Sequence, residues 1–223
     1  MTGRRVLDVG AHWLHQAVLW RRAGHKVTAV DLPETLEFDG VQRLATAEGI
    51  TLVVNSSLED CAGLETLPES SFDVVLFTEI IEHLAINPVA MWRQIHRVLA
   101  PGGRIVVTTP NYYAWNGRAW SVGRFLTGMG GGISVDQVLT TPTLGHHWRE
   151  YARRELKRYF GLISPDFRVE NGANLRDWYL RHPGPLRRTV GRVLECLPGL
   201  RPQIYLEVHL VGKAHGVVLS PRW

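Results

Sequence analysis

Short apolar runs alternate, along the first 110 residues, with segments long enough to form helices. The runs that predict strands are 5–9, 25–30, 50–54, 72–77 and 104–108. The segments that predict helices are 12–23, 33–48 and 88–99. This alternation with short connections is typical of a mainly parallel sheet with helices on both faces.

The alternation stops after residue 110. Residues 111–143 hold several aromatic side chains and a glycine-rich run at 128–132. Because ligands of open α/β sheets bind at the carboxyl ends of the strands, we expect an inserted lid there, within residues 111–149. Beyond it, the pattern predicts helices at 150–160 and 186–197 and strands at 167–170 and 204–211. We therefore expect a single domain over residues 1–223.

A glycine and an acidic residue follow the first two predicted strands. Gly10 ends the first apolar run, and Asp31 ends the second, 21 residues later. Glycine lets the backbone approach a ligand closely, and a carboxylate accepts hydrogen bonds from two ribose hydroxyls. The spacing therefore predicts a nucleotide-binding βαβ unit.

Charge is distributed unevenly around a net value of +4. Residues 1–110 carry 9 Lys and Arg against 13 Asp and Glu, whereas residues 111–223 carry 16 against 8. The basic half includes an amphipathic helix with Arg187, Arg188 and Arg192. A solvated basic surface explains this pattern, and so does contact with an anionic partner such as a membrane surface or RNA.

The two cysteines, Cys61 and Cys196, form no metal-binding or redox spacing. This usage is typical of a reducing compartment. No signal peptide or membrane span is predicted, because residues 1–5 are short and polar and no apolar run approaches about 20 residues. We therefore expect a cytoplasmic protein, with an undetermined oligomeric state.

Five ordered segments resemble the class I S-adenosylmethionine-dependent methyltransferases, particularly the type 11/12 group. They read VLDVG, VTAVD, FDVVLFTEIIEHL, VLAPGGRIVVTTPN and HHWREYARREL, and they span about the first 160 residues. The resemblance implies a Rossmann-like, seven-stranded, mostly parallel sheet whose last strand is antiparallel. It also implies S-adenosyl-L-methionine as the cofactor.

The resemblance assigns cofactor contacts by position. The methionine end of the cofactor would lie against Asp8 and Gly10, and Asp31 would hold the ribose hydroxyls. Leu32 would flank the adenine, with the loop after the third strand at its edge. The full predicted set is Asp8, Gly10, His12, Asp31, Leu32, Ser57, Leu58, Thr78 and Glu79.

The first turn departs from the family pattern G-x-G-x-G. Here it reads Gly10-Ala11-His12-Trp13-Leu14, so His12 and Leu14 replace two glycines. Their β-carbons crowd a close backbone approach. Either the loop takes a different path with His12 or Trp13 on the cofactor, or affinity falls. A catalytically weak cofactor-binding or partner-binding module is the extreme case.

Acidic and histidine side chains follow the fourth strand directly. Glu79 and Glu82 are three residues apart, a helical spacing that puts both on one face, and His83 is adjacent. Together with His147, they resemble the E-x-x-E-H segment and later histidine of small-RNA 2′-O-methyltransferases. That resemblance implies a divalent metal such as Mg²⁺ on Glu79, Glu82, His83 and His147. The same motifs also occur in methyltransferases of small molecules and glycans, where the histidine is a general base or contacts a substrate hydroxyl without metal. A structural role, with Glu82 at a helix start and His147 bonded locally, is the third alternative.

The main hypothesis is a methyltransferase that acts on a hydroxyl of a sugar, glycan or other small polyhydroxylated acceptor. His83 would be the general base, with Glu79 at the transferring methyl group. Asn111, Tyr112 and His147 would contact the acceptor. The alternative enzyme is a metal-assisted ribose 2′-O-methyltransferase of RNA. A nicotinamide dehydrogenase is disfavoured by the FTEIIEHL and PGG segments.

Overall fold

The computed structural model describes residues 3–56, 62–115, 126, 139–140, 146–176 and 185–220. Seven strands form one sheet in the order β3-β2-β1-β4-β5-β7-β6. They are β1 (Arg5–Val9), β2 (Lys26–Asp31), β3 (Thr51–Val54), β4 (Phe72–Thr78), β5 (Leu99–Pro110), β6 (Phe167–Leu175) and β7 (Gln203–Leu210). β7 runs antiparallel to both neighbours, β5 and β6, and the strand pairs from β3 to β5 are parallel. The predicted sheet is therefore confirmed.

Seven α-helices flank this sheet in the described part of the chain. They are α1 (His15–Arg22), α2 (Pro33–Leu36), α3 (Asp39–Glu48), α4 (Ala62–Glu65), α5 (Val89–Val98), α6 (Arg153–Ile163) and α7 (Pro185–Leu194). Short 3₁₀ helices cover Ile81–His83 and Pro198–Leu200. No helix in these ranges is both long and apolar enough to cross a membrane.

Both faces of the sheet are buried, as β4 shows. Val75 and Phe77 belong to one core cluster, and Val74 and Leu76 belong to the other. Because successive strand residues point to opposite faces, a strand buried on both sides reads as a continuous apolar run. The first cluster includes the fully buried Trp92, and the second lies against α1, α2 and α3.

Several predicted element boundaries were wrong. The first helix begins at His15, because residues 12–14 form the preceding turn. The predicted helix over 33–48 is two helices, with a break at Glu37 and Phe38. The fifth strand begins at Leu99 and continues through the predicted Pro101–Gly103 turn, with a register shift against β4.

The predicted lid lies largely outside the described residues, which include only 111–115, 126, 139–140 and 146–149 of it. Ser57, Leu58 and Cys61 also lie outside the described ranges. The chain leaves β5 through an isolated bridge between Asn111 and Tyr151. This bridge brings the start and the end of the 111–149 segment together beside the carboxyl end of β5.

Candidate functional site

The order of the strands creates a crevice at the carboxyl ends of β1 and β4. From β1 the chain proceeds to β2 and β3 on one side, and β4 and β5 lie on the other side. Two connections therefore leave in opposite directions at this point, which is where open α/β sheets bind ligands. The turn after β1, the acid that ends β2 and the turn after β4 all lie at this edge.

The turn after β1 keeps a left-handed backbone at three alternate residues. The φ angles are 71° at Gly10, 46° at His12 and 64° at Leu14. These are the three positions at which the family pattern has glycine. The loop therefore keeps a backbone shape that glycine favours, although two of the residues carry side chains.

The two replacing side chains point in different directions. Leu14 is fully buried in the core cluster that includes α1. His12 is exposed, and its ring stacks on Trp13 with 4.9 Å between the ring centroids. Trp13 is 58% exposed. The imidazole and the indole therefore stand at the open edge of the site.

Gly10 also has a steric reason to be glycine. A β-carbon at this position would lie 2.2 Å from the terminal methyl carbon of Ile80. Ile80 follows β4, so its side chain crosses the crevice and packs on the turn after β1. Sequence reasoning did not single out Ile80, since an apolar residue beside a strand end carries no distinct signal.

Two acidic residues, Asp8 and Asp31, lie on the neighbouring strands β1 and β2. The backbone N–H groups of His12 and Leu32 donate to the Asp31 carboxylate at 2.6 and 2.7 Å. A carboxylate has about four acceptor positions, so both oxygens keep capacity for ribose hydroxyls. Asp31 also repels the buried Asp8.

Asp8 is buried, and its Oδ2 has no hydrogen-bond partner among the described residues. Burial raises the pKa of Asp8 to about 7; a backbone hydrogen bond from Ala17 opposes this rise, and the Asp31 charge adds a smaller contribution to it. A cation beside this oxygen would relieve both costs. The residues therefore fit S-adenosylmethionine, with its ammonium group at Asp8 and its ribose at Asp31.

The predicted helical pairing of Glu79 with Glu82 was wrong. Glu79 precedes the 3₁₀ helix and has a left-handed φ of 56°. Its Oε1 accepts a hydrogen bond from the Thr108 hydroxyl at 2.7 Å. Because the helix begins only at Ile81, the spacing of three does not place the two acids on one helical face. Glu79 stays beside Thr78 at the end of β4.

Glu82 lies fully buried below the crevice. Its Oε2 accepts from the Thr109 hydroxyl at 2.9 Å, and its Oε1 has no hydrogen-bond partner in the described ranges. Its backbone carbonyl accepts from the N–H of Trp148 at 2.7 Å. Burial, and then the Glu79 charge, raises the pKa of Glu82 to about 7. Glu82 thus fastens the segment that carries His147 to the turn after β4.

Three of the four predicted metal ligands come together. One ligand atom each from Glu82, His83 and His147 lies within 4.8 Å of the others. The His83 and His147 rings meet edge-on, with 4.6 Å between their centroids. Glu79 is outside this group. His147 Nδ1 lies 3.9 Å from Glu150 Oε1, so a second carboxylate borders the cluster.

The predicted acceptor contacts separate into two kinds. The buried Asn111 donates through Nδ2 to the carbonyls of Gly199 and Arg201, at 2.9 and 2.8 Å. Its side chain therefore holds a turn. Tyr112 is exposed, and its N–H donates to the Tyr151 carbonyl, which places it next to the His147 segment.

Sequence reasoning missed the two threonines that position the acids. Thr108 and Thr109 lie near the end of β5, and their hydroxyls donate to the carboxylates of Glu79 and Glu82 respectively. Both lie within the VVTTPN segment, so a signal was present. However, adjacent strand residues point to opposite faces, and only the fold shows that each threonine meets a different carboxylate.

Comparison with known proteins agrees with this geometry. Residues 7–107 match the family model described as "Methyltransferase domain". This stretch, which is just under half of the chain, is therefore similar to a methyltransferase domain. The expected resemblance is thereby confirmed for the segment that contains the crevice.

Two bacterial O-methyltransferases are similar in sequence to about half of this chain. The "Ubiquinone biosynthesis O-methyltransferase" of Xanthomonas oryzae pv. oryzae is 36% identical over 112 residues, which are 50% of this chain and 45% of that protein. The enzyme of the same name from Idiomarina loihiensis is 33% identical over 125 residues, 54% of this chain and 47% of that protein. The chain thus spans about half the length of the curated relatives it matches.

Solved structures share the fold over nearly the whole chain. A methyltransferase from Mesorhizobium loti superposes with a TM-score of 0.62 at 18% identity, covering 93% of this chain and 91% of that one. A Burkholderia thailandensis N1-methyltransferase, solved with S-adenosylhomocysteine, gives 0.58 at 18% identity, covering 95% and 72%. At this identity the likeness shows the fold alone.

Proposed function

We propose that this chain transfers a methyl group from S-adenosylmethionine to a hydroxyl oxygen of a sugar, glycan or other small polyhydroxylated acceptor. The observation that carries the proposal is the pair of imidazoles, His83 and His147, in edge contact at the crevice that also holds Asp8 and Asp31. An alcohol must lose a proton on methylation, and imidazole takes protons near neutral pH.

Hydrogen bonding sets the tautomer of the proposed base. His83 Nδ1 lies 3.0 Å from the carbonyl oxygen of His146, which can only accept. Nδ1 therefore carries the proton, and Nε2 carries the lone pair. Nε2 takes the acceptor's hydroxyl proton, while an oxygen lone pair forms the new bond to carbon. Bound S-adenosylmethionine supplies a methyl group on a positively charged sulfur, which keeps the electron pair of the broken bond.

The relatives support oxygen as the methylated atom. Two of them are named O-methyltransferases of ubiquinone biosynthesis and match half of this chain. The sugar or glycan identity of the acceptor rests on the polar character of the site alone. The exposed Tyr112 and Trp148 border the site and offer faces on which a sugar or an aromatic ring can stack.

A second candidate is metal-assisted methylation of a ribose 2′-hydroxyl of RNA. It is favoured by the 4.8 Å grouping of Glu82, His83 and His147. Two imidazoles and one carboxylate suit Mn²⁺, Fe²⁺ or Zn²⁺ better than the predicted Mg²⁺, which prefers oxygen ligands. A bound divalent ion would lower the pKa of the acceptor hydroxyl. The small-RNA resemblance itself is not shown by the family model or by the relatives above.

The third hypothesis, a weak binding module, rested on His12 and Leu14. Their left-handed backbone argues against it, because the turn keeps the shape of a glycine turn. Calorimetry with S-adenosylhomocysteine distinguishes an active enzyme from a module that no longer binds the cofactor. We expect a single site with micromolar affinity. A folded protein that binds no S-adenosylhomocysteine would support the module instead.

Release of S-adenosylhomocysteine, measured against sugars, polyols, catechols and short RNAs, tests the activity. We expect a hydroxylated small molecule to be turned over, and His83→Ala to lower turnover at least about 100-fold while cofactor affinity changes little. His209→Ala, which removes a partly exposed imidazole beside Arg104 at the opposite end of the sheet, is the matched control. If the metal-stripped enzyme stays active in the presence of chelators, metal-assisted methylation is excluded. If His83→Ala turns over substrate as fast as the control variant, His83 is not the general base.

A further inference from the structure

The last helix turns an apolar side away from the protein. On α7 and the turn that follows it, Gly191 and Glu195 face inward and are buried. Val190, Val193 and Leu197 are 42%, 65% and 59% exposed. The spacing of three places Val190 and Val193 on one face of α7, and the exposed Leu197 follows in the turn after the helix. A surface helix normally buries its apolar side, so this face is inverted.

The chain around this apolar face is strongly basic. Residues 175–201 contain six arginines against two acids, Asp177 and Glu195. Glu195 is buried, and Arg192, on α7, is exposed. Aliphatic side chains flanked by arginines are the pattern of a helix that lies in the plane of a membrane interface. Juxtaposed basic residues add attraction to anionic lipid headgroups.

The apolar face is connected to the edge of the sheet that carries the candidate site. The 3₁₀ helix Pro198–Leu200 follows α7, and the carbonyls of Gly199 and Arg201 accept from Asn111. The backbone of Trp115 also donates to the Leu200 carbonyl at 3.2 Å. The helix is thus tied to the carboxyl end of β5, beside Tyr112.

We propose that α7 docks this protein on anionic membrane surfaces. Val190, Val193 and Leu197 enter the boundary between headgroups and acyl chains, and the exposed Arg192 contacts the negatively charged headgroups. A second copy of the chain fits less well, because a two-fold interface through this face would bring Arg192 near Arg192 of the second copy. Nucleic acid also fits less well, because aliphatic side chains offer bases no stacking surface.

Co-sedimentation of the full chain with vesicles tests the proposal without any methyl donor or acceptor. Wild-type protein is expected to bind vesicles of equal parts phosphatidylglycerol and phosphatidylcholine, and to bind phosphatidylcholine vesicles at least about tenfold more weakly. Val193→Glu is expected to lower binding to the anionic vesicles at least about tenfold. Leu162→Glu, at an exposed leucine on α6, is the matched control and should bind like wild type.

Arg192→Glu provides a second variant that removes no apolar contact, in case Val193→Glu does not fold. It should lower binding to anionic vesicles at least about tenfold. Equal binding of wild type to neutral and anionic vesicles, or absence of binding, overturns the proposal. The proposal is also overturned if Val193→Glu and Arg192→Glu both abolish a concentration-dependent dimer but leave vesicle binding unchanged. Because vesicle binding needs no turnover, its failure leaves the proposed methyl transfer untouched, and the reverse also holds.

Discussion

In the turn after β1, the side chains of His12 and Leu14 are combined with a backbone conformation that favours glycine. Both residues hold a left-handed backbone, which costs a residue with a side chain about 1–2 kcal/mol. Only Leu14 recovers that cost, because its side chain is fully buried in the core. The exposed His12 gains nothing comparable from packing. Leu14 therefore stabilises the core in place of the glycine of the family pattern, whereas His12 faces the crevice.

Replacing each residue by glycine separates these effects. His12→Gly relieves strain but loosens the unfolded chain, so we expect the free energy of unfolding to stay equal or rise by up to about 1 kcal/mol. Leu14→Gly should lower it by about 2–4 kcal/mol, since the lost buried side chain outweighs the relieved strain. Urea unfolding measures both. A larger loss in His12→Gly than in Leu14→Gly would contradict this explanation.

We expect Asp8 to make cofactor binding dependent on pH. Its pKa of about 7 is raised, so in the cofactor-free protein the carboxyl is largely protonated at pH 5.5 and largely ionised above pH 7. An ammonium group binds the ionised form better, so affinity for S-adenosylhomocysteine should rise about tenfold between pH 5.5 and pH 7.5. Asp8→Asn should flatten this dependence and bind about tenfold more weakly at pH 7.5.

Calorimetry at both pH values measures the effect. Asp73→Asn is the matched control, because Asp73 pairs with Arg5 on the surface and leaves the crevice unchanged. A pH dependence that survives in Asp8→Asn would assign it to another group.

At the scale of elements, the C-terminal segment after β7 is fastened by one buried acid. Asp166 accepts from His96 Nε2 at 3.0 Å, from His215 Nδ1 at 2.9 Å and from the Gly216 N–H at 2.8 Å. Burial alone would raise the pKa of Asp166, but the hydrogen bonds from His215, Gly216 and His96 outweigh it and hold the pKa well below its usual range. This cluster ties α5, the start of β6 and the C-terminal segment together.

Asp166→Asn should lower the free energy of unfolding by about 1–3 kcal/mol at pH 7, because charge-assisted hydrogen bonds weaken. The folded-state pKa is depressed, so the stabilisation is present above the unfolded pKa of about 4 and is lost as the pH falls below it. The difference between wild type and variant should therefore shrink between pH 5 and pH 3. Thermal unfolding across this range measures it, and a difference that grows on acidification would contradict the assignment.

Elements formed by neighbours in sequence could be predicted; sites formed across the fold could not. The apolar run at 72–77 predicted a buried strand, and the structure confirms it, since all of its residues except Asp73 are buried. By contrast, Asp166 is 70 residues from His96 and 49 residues from His215, so no local sequence pattern predicts their contact. The predicted placement of Glu79 and Glu82 on one helical face was wrong because Glu79 has a left-handed φ and lies outside the helix.

At the scale of the molecule, the cofactor should couple the two halves of the sheet, because the crevice joins the turns after β1, β2 and β4. Ligand that binds only the folded state stabilises it by about 2.7 kcal/mol at 100 times the dissociation constant. For a chain of this size, we expect S-adenosylhomocysteine at that concentration to raise the midpoint of thermal unfolding by roughly 5–10 °C. Asp31→Ala should abolish most of the rise, and Asp73→Asn should retain it.

The most direct test is a crystal structure of the protein grown with S-adenosylhomocysteine. We expect density for one molecule across the carboxyl ends of β1 and β2, with the ribose hydroxyls on the Asp31 carboxylate and the ammonium group at Asp8. If the ligand lies elsewhere at saturating concentration, or if the rings of His12 and Trp13 fill that crevice, the proposed cofactor site is wrong.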